Sequence, residues 1–138
     1  MADGFANPFA QPQILAAAGI TPNTVIRFTG NKTGNVVSAS TQEPIGITGE
    51  WSEQPPIPLY STSANIVSTG KPIPFASRGM VGRATVGAGG VTGGSRVMSA
   101  NGTVIAMVGS AGNWSLGIAM DTAAVGEQVE VWVDPLPF

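Results

Sequence analysis

The sequence predicts an all-β chain, a compact β-barrel or β-sandwich of short strands with an extended N-terminal arm. Three observations carry this. Runs of four to seven residues rich in Val, Ile and Thr recur along the chain, each bounded by Gly, Asn or Pro. Turn signals return every 8–12 residues or so, the spacing of sandwiches and barrels. No stretch shows the 3.6-residue apolar period of an amphipathic helix.

The segments follow in order. Residues 1–13 place Phe5, Pro8, Phe9 and Pro12 among small polar residues. Proline removes a backbone donor and restricts its neighbour, so this reads as extended chain. It is either a disordered terminus or an arm whose two phenylalanines dock on a neighbouring subunit. "QILAAAG", 13–19, is expected to make one or two helical turns ended by Gly19. The arm as a whole is taken as 1–23 and the β domain as 24–138. Strands are then expected in "TVIRFTG", "NVVSAS" and "PIGITGE". "WSEQPPIPLYS" holds three prolines and is expected to be a loop or edge segment. The strand pattern resumes in "ANIVSTGKPIPF" and "GMVGRATV". "GAGGVTGGS" is a glycine-rich connection, and Asn101-Gly102 inside "SRVMSANGTVIAMV" is a hairpin turn. "SLGIAM" and "EQVEVWV" close the chain. In the last, Val129, Val131 and Val133 share one face, and Gln128, Glu130, Trp132 and Asp134 the other. Asp121 or Thr122 is expected to cap a single turn before Gly126.

An echo divides the β domain. "PIGITGE" and "SLGIAMD" share apolar-Gly-Ile followed by an acid, and "KPIPF" and "DPLPF" share Pro-apolar-Pro-Phe. Either composition alone produces this, or there are two related β units, 24–75 and 76–138, the first carrying a proline-rich loop at 51–58.

Composition narrows the function. The 138 residues allow one domain or two very small ones. Charged residues are 10%, where an ordinary soluble domain has about 25%. Either Ser, Thr, Asn and Gly solvate the surface, or another chain covers part of it, as obligate interfaces resemble a core cut in half. A net charge of −2 with scattered Arg and Lys argues against nucleic acid. No apolar run approaches the ~20 residues of a membrane helix. The start has neither a basic region nor a long apolar run, so a signal peptide is not expected.

Catalytic chemistry is not expected either. With no His and no Cys, the commonest general base, triad member and metal ligands are missing. Lys32 and Lys71 sit in ordinary turns. "STGKP" departs from a phosphate loop, because Pro72 replaces the hydroxyl residue that would meet magnesium. The glycines of 87–94 lack the strand–helix context of a dinucleotide site. Glu127 and Glu130 face opposite sides of a strand and cannot converge, and Glu50 and Glu53 flank Trp51 in a proline loop. No run is acidic enough for calcium. No catalytic residue, metal ligand or cofactor is therefore assigned.

The stretch "VMSANGTVIAMVGSAGNWSLGIAMDTAAVGEQVEVWV", 97–133, resembles the C-terminal part of capsid decoration (cement, or head-stabilisation) proteins of tailed bacteriophages. The carrying elements are Asn101-Gly102, Leu116-Gly117-Ile118-Ala119, Ala123-Ala124, Gly126-Glu127 and Val129-Val131-Val133. The resemblance implies a compact β fold that trimerises on the outside of an icosahedral capsid, at three-fold or quasi-three-fold positions. There it would hold neighbouring major capsid subunits together. The implied partners are the major capsid protein and further copies of the chain, and the implied location is the virion surface after assembly in the host cytoplasm. Two alternatives stay open: another virion β module, such as a tail or head-fibre component, and a carbohydrate-binding module using Trp51, Trp114 or Tyr60. The interface candidates are Phe5, Phe9, Trp51, Pro55, Pro56, Trp132 and Phe138, each large or rigid, apolar, and outside the expected inward-facing set.

Overall fold

A computed structural model describes residues 13–49 and 66–138. Among them are ten strands: β1 (Leu15–Ala16), β2 (Val25–Gly30), β3 (Thr33–Val36), β4 (Pro44–Thr48), β5 (Phe75–Ala76), β6 (Val81–Thr85), β7 (Arg96–Ala100), β8 (Thr103–Ala106), β9 (Trp114–Ala119) and β10 (Gln128–Pro137). The described chain is all-β, as the short Val/Ile/Thr runs predict. It forms two five-stranded sheets, ordered β1-β3-β2-β4-β5 and β6-β10-β9-β7-β8.

Both sheets curl back on themselves. Beyond β6, Val86 bridges Val104 of β8 in parallel, and the Gly87 amide donates to the Val104 carbonyl at 2.7 Å. In the first sheet, Leu15 bridges Pro72 and Ile20 bridges Val67 on the segment that leads into β5. Closure of this kind leaves few exposed strand edges.

The expected helical turns at 13–19 are replaced by β1, which pairs in parallel with β3. Ile14 and Ala16 point into the core while Leu15 between them is half-buried, a period of two that a helix would scatter. Gly19 does not adopt the left-handed conformation a helix end requires. The turn expected before Gly126 forms, closed by the Glu127 amide donating to the Ala124 carbonyl at 3.1 Å, but Thr122 does not cap it. Thr122 instead accepts a hydrogen bond from the Gly93 amide at 3.0 Å, and Val91 and Ala123 form a bridge, so the glycine-rich connection and the 120–126 loop tie to each other. The strand pattern expected in "ANIVSTGKPIPF", 64–75, is reduced over its described residues to isolated bridges plus the start of β5. Pro72 and Pro74 have no amide to give a ladder.

The β7–β8 hairpin turns at Asn101-Gly102, whose φ angles of 48° and 81° are those of a type I′ turn. The two sheets share one connectivity. β3-β2-β4-β5 in the first corresponds to β8-β7-β9-β10 in the second. The echoed glycines occupy matching places, each against the backbone of the strand that carries or follows Pro-apolar-Pro-Phe. A Cβ on Gly46 would lie 2.1 Å from the Ala76 carbonyl oxygen, and one on Gly117 would lie 2.0 Å from that of Trp132. Each glycine therefore lets two strands approach more closely than any side chain permits.

One apolar cluster fills the first sheet, with Ile14, Ile20, Ile26, Ile73 and Phe75 among its members. A second is built on Leu116, Val97, Val104, Val129, Val131 and Val133, and it also takes in Val25, Val37 and Ile47 from the first half. The two sheets thus share buried side chains.

Candidate interaction face

Strand β10 alternates cleanly. Val129, Val131 and Val133 are buried, and Gln128, Glu130 and Trp132 are exposed, as the sequence pattern requires. Trp132 keeps 46% of its surface exposed. Its neighbours along the strand are polar, but those across the ladder are not. Trp132 stands opposite Val81 of β6 and Ile118 of β9. Directly opposed residues share a face with Cβ atoms roughly 5 Å apart. Val81, Trp132 and Ile118 therefore form an apolar row on the outside of the second sheet. The adjacent row holds Arg83 opposite Glu130, with Met120, 53% exposed, on the far side. The Met120 amide donates to the Glu130 carbonyl at 2.8 Å.

Past Trp132 the strand carries a bulge between Val133 and Leu136, which re-aims the chain. Asp134 sits there between two guanidinium groups. Its Oδ1 lies 3.0 Å from Arg78 Nη1 and its Oδ2 lies 2.9 Å from Arg96 Nη2. Arg78 also donates to the Pro135 carbonyl at 2.6 Å, and Arg96 to Ser115 Oγ at 3.0 Å. These bonds pin the bulged end of β10 to the segment before β6 and to β7.

Phe138 is 63% exposed. Its amide donates to the Asn113 carbonyl at 2.9 Å. Its ring lies so close over Gly109 that a Cβ there would sit 3.0 Å from Cζ. It covers the β8–β9 loop, away from the Trp132 row. Of the predicted interface residues, Trp132 and Phe138 are thus both outward-facing but are not brought together. Phe5, Phe9, Trp51, Pro55 and Pro56 lie outside the described residues. Trp114, considered as a sugar platform, is half-buried on β9 opposite Pro137.

Between the sheets runs a mostly apolar groove of about 370 Å³. Ile14, Phe28, Ile45 and Phe75 line it, Glu43 and Arg78 stand at its rim, and Pro135 forms one wall. Phe28 is 51% exposed there.

Sequence reading missed Val81, Ile118, Met120 and Phe28. None of them carried a clear signal, since neither "VGRAT" nor "GIAM" alternates polar and apolar residues as β10 does. Their alignment beside Trp132 depends on ladder register, which a single strand does not encode. Among the described residues, no group of three or more His, Cys, Asp or Glu is placed to hold a metal ion, and Glu127 is engaged with the Ala124 amide at 2.7 Å. What the face offers is exposed apolar area, at Val81, Met120 and Trp132.

No protein-family model matches the chain, and no curated protein matches it. Among solved structures, the fold is similar to the N base of the head fiber protein gp8.5 of bacteriophage phi29. The TM-score is 0.61 at 12% sequence identity, covering 88% of this chain and 91% of that one. At such low identity the likeness establishes a common fold, and it extends over nearly the whole of both chains.

Proposed function

We propose that this chain is a structural virion protein of a tailed bacteriophage, carried on the outer surface of the capsid. In this reading it binds as a trimer at three-fold or quasi-three-fold positions and stabilises contacts between major capsid subunits, with no catalytic role. The observation that carries it is the full-length likeness to the base of a phage head fibre. The resemblance of residues 97–133 to capsid decoration proteins points the same way from the sequence.

The surface chemistry is consistent with such a role. A chain with 10% charged residues and an outward apolar row has little electrostatic reach and suits close, shape-matched contact. Because both described sheets curl shut, contact through side-chain faces is favoured over strand addition at an edge. Individually weak contacts become effective when many copies act on one particle.

The comparison itself favours a second reading, in which the chain is the base of a head fibre. Under that reading a further elongated element projects from the base. The test of both is to mix the purified protein with undecorated capsids of the phage that encodes it and to sediment them. Saturable co-sedimentation supports the virion reading, and projecting density in electron micrographs of virions selects the fibre base. Absence of binding at tens of micromolar contradicts both.

A further inference from the structure

We infer that Asn101-Gly102 is a site of spontaneous covalent modification: Asn101 loses its side-chain amide through a succinimide, and the isoaspartyl product unlocks a joint between the two sheets. Asn101 is the one asparagine in the chain followed by glycine. A glycine nitrogen is not shielded by any side chain and its backbone turns freely, as attack on the preceding side chain requires. Asn101 is exposed. Among the described residues, neither its side-chain amide nor the Gly102 N–H has a hydrogen-bond partner.

The chemistry needs only hydroxide and water. The deprotonated Gly102 nitrogen attacks Asn101 Cγ. The N–Cγ bond forms, the Cγ–Nδ2 bond breaks, and the side-chain nitrogen leaves as ammonia. Water then opens the five-membered ring. Cleavage of the new N–Cγ bond yields aspartate in an unchanged main chain. Cleavage of the original peptide bond to Gly102 yields isoaspartate, whose main chain runs through the former side chain and is one methylene longer. The folded turn opposes the first step. Its φ angles are 48° and 81°, and a type I′ turn sets ψ of its first central residue at about +30°. The Gly102 nitrogen is then nearly opposite Asn101 Cβ across the Cα–C bond. Ring closure requires rotation about that bond, which undoes the turn.

The other sheet holds the turn in place. The Gly102 carbonyl accepts from the Val25 amide at 2.9 Å. Gly102 is buried so tightly that a Cβ would lie 2.8 Å from both Thr24 Cγ2 and Val36 Cγ1. Thr103 Oγ1 donates to the Ala100 carbonyl at 2.6 Å across the turn. The tip of the β7–β8 hairpin is thus seated on the first sheet, beside the cluster in which Val25 meets Val104. While it is seated the site is silent, and each opening exposes it. The aspartyl product can reseat, because Asp-Gly suits the same turn. The isoaspartyl product cannot, because loop length fixes a hairpin's register and the added methylene displaces the Gly102 carbonyl from Val25. The modification therefore runs one way.

The experiment ages the full-length chain at mildly alkaline pH, folded and in urea, and follows Asn101 by peptide mapping with mass spectrometry. Asn101→Gly, which keeps the turn and lacks the amide, is the control. Asn101 is expected to convert to aspartate and isoaspartate ahead of the other asparagines. Conversion should be at least roughly tenfold faster in urea, because the folded tip must open first. After return to native buffer, the isoaspartyl fraction is separated by chromatography. It is expected to melt several degrees below the unmodified chain and to exchange its Val25 amide hydrogen faster, whereas Asn101→Asp melts with the unmodified chain. Asn101 that stays intact in urea, or converts equally fast when folded, overturns the inference. So does an isoaspartyl fraction with unchanged melting and Val25 exchange, or an Asn101→Asp chain that melts as low, which traces the loss to charge. An Asn101→Gly chain that loses ammonia as fast as the unmodified one places the chemistry elsewhere and overturns it as well.

Discussion

Adjacent positions on β10 give the sharpest test of which side of the second sheet faces a partner. Val131 is fully buried and Trp132 is 46% exposed, although tryptophan is by far the larger side chain. For Val131→Ala, two methyl groups leave a closed core. At about 0.8 kcal/mol per group plus a cavity contribution, the expected loss is about 2–3 kcal/mol of folding stability. Trp132→Ala opens no internal cavity. It gives up partial burial and two cross-strand contacts of about 0.2–1 kcal/mol each, for an expected loss of about 1–1.5 kcal/mol. Self-association should show the reverse order. Losing an aromatic anchor at an interface costs about 2 kcal/mol or more, or roughly 30-fold in Kd, whereas Val131→Ala leaves association nearly unchanged in the folded fraction. Urea unfolding, at concentrations low enough to keep the chain dissociated, measures the first quantity. Sedimentation equilibrium measures the second. If Trp132→Ala destabilises the isolated fold more than Val131→Ala, or leaves association untouched, the assignment of the outer face as an interface is wrong.

Gly117→Ala is expected to lower stability by about 3 kcal/mol or more in urea unfolding, because its Cβ would fall 2.0 Å from the Trp132 carbonyl oxygen and force β9 and β10 apart. Gly46→Ala is expected to behave alike, with 2.1 Å to the Ala76 carbonyl oxygen. Asp134→Asn removes both ion pairs. Since the carboxylate is 30% exposed and its partners 60% and 34%, the expected loss is about 1 kcal/mol. That loss should shrink in thermal melts at high salt, which screens such pairs. Deleting residues 2–12 is expected to leave the melting temperature nearly unchanged, because the described residues from Ile14 onward already supply two apolar core clusters. It should weaken capsid co-sedimentation if the arm makes the contact.

Much of the fold was legible because period-two alternation and turn chemistry act locally. Asn101-Gly102 fixed its hairpin through two positive φ angles, and the valines of β10 announced the core face. Misreadings came where long-range pairing overrode local preference. "QILAAAG" has helix-forming alanines, yet the Ala16 amide donates to the Lys71 carbonyl and the Ala17 amide to that of Gly34, so tertiary partners draw it into a sheet. Thr122 looked like a cap and instead accepts from Gly93, far along the chain. The interaction face was half legible. One strand showed Trp132 pointing outward, but only the register of β6 and β9 reveals Val81 and Ile118 beside it. The groove, whose walls come from residues as far apart as Ile14 and Pro135, has no signature within any one segment.

The central claim is that this chain sits on the outside of a phage capsid, and cryo-electron microscopy of undecorated capsids saturated with the purified protein tests it most directly. The expected map shows trimeric density at three-fold or quasi-three-fold positions on the outer surface, with the β10 face covered by a neighbouring chain. Capsids that stay bare under saturating conditions, or virions that carry the protein only in the tail, would contradict it.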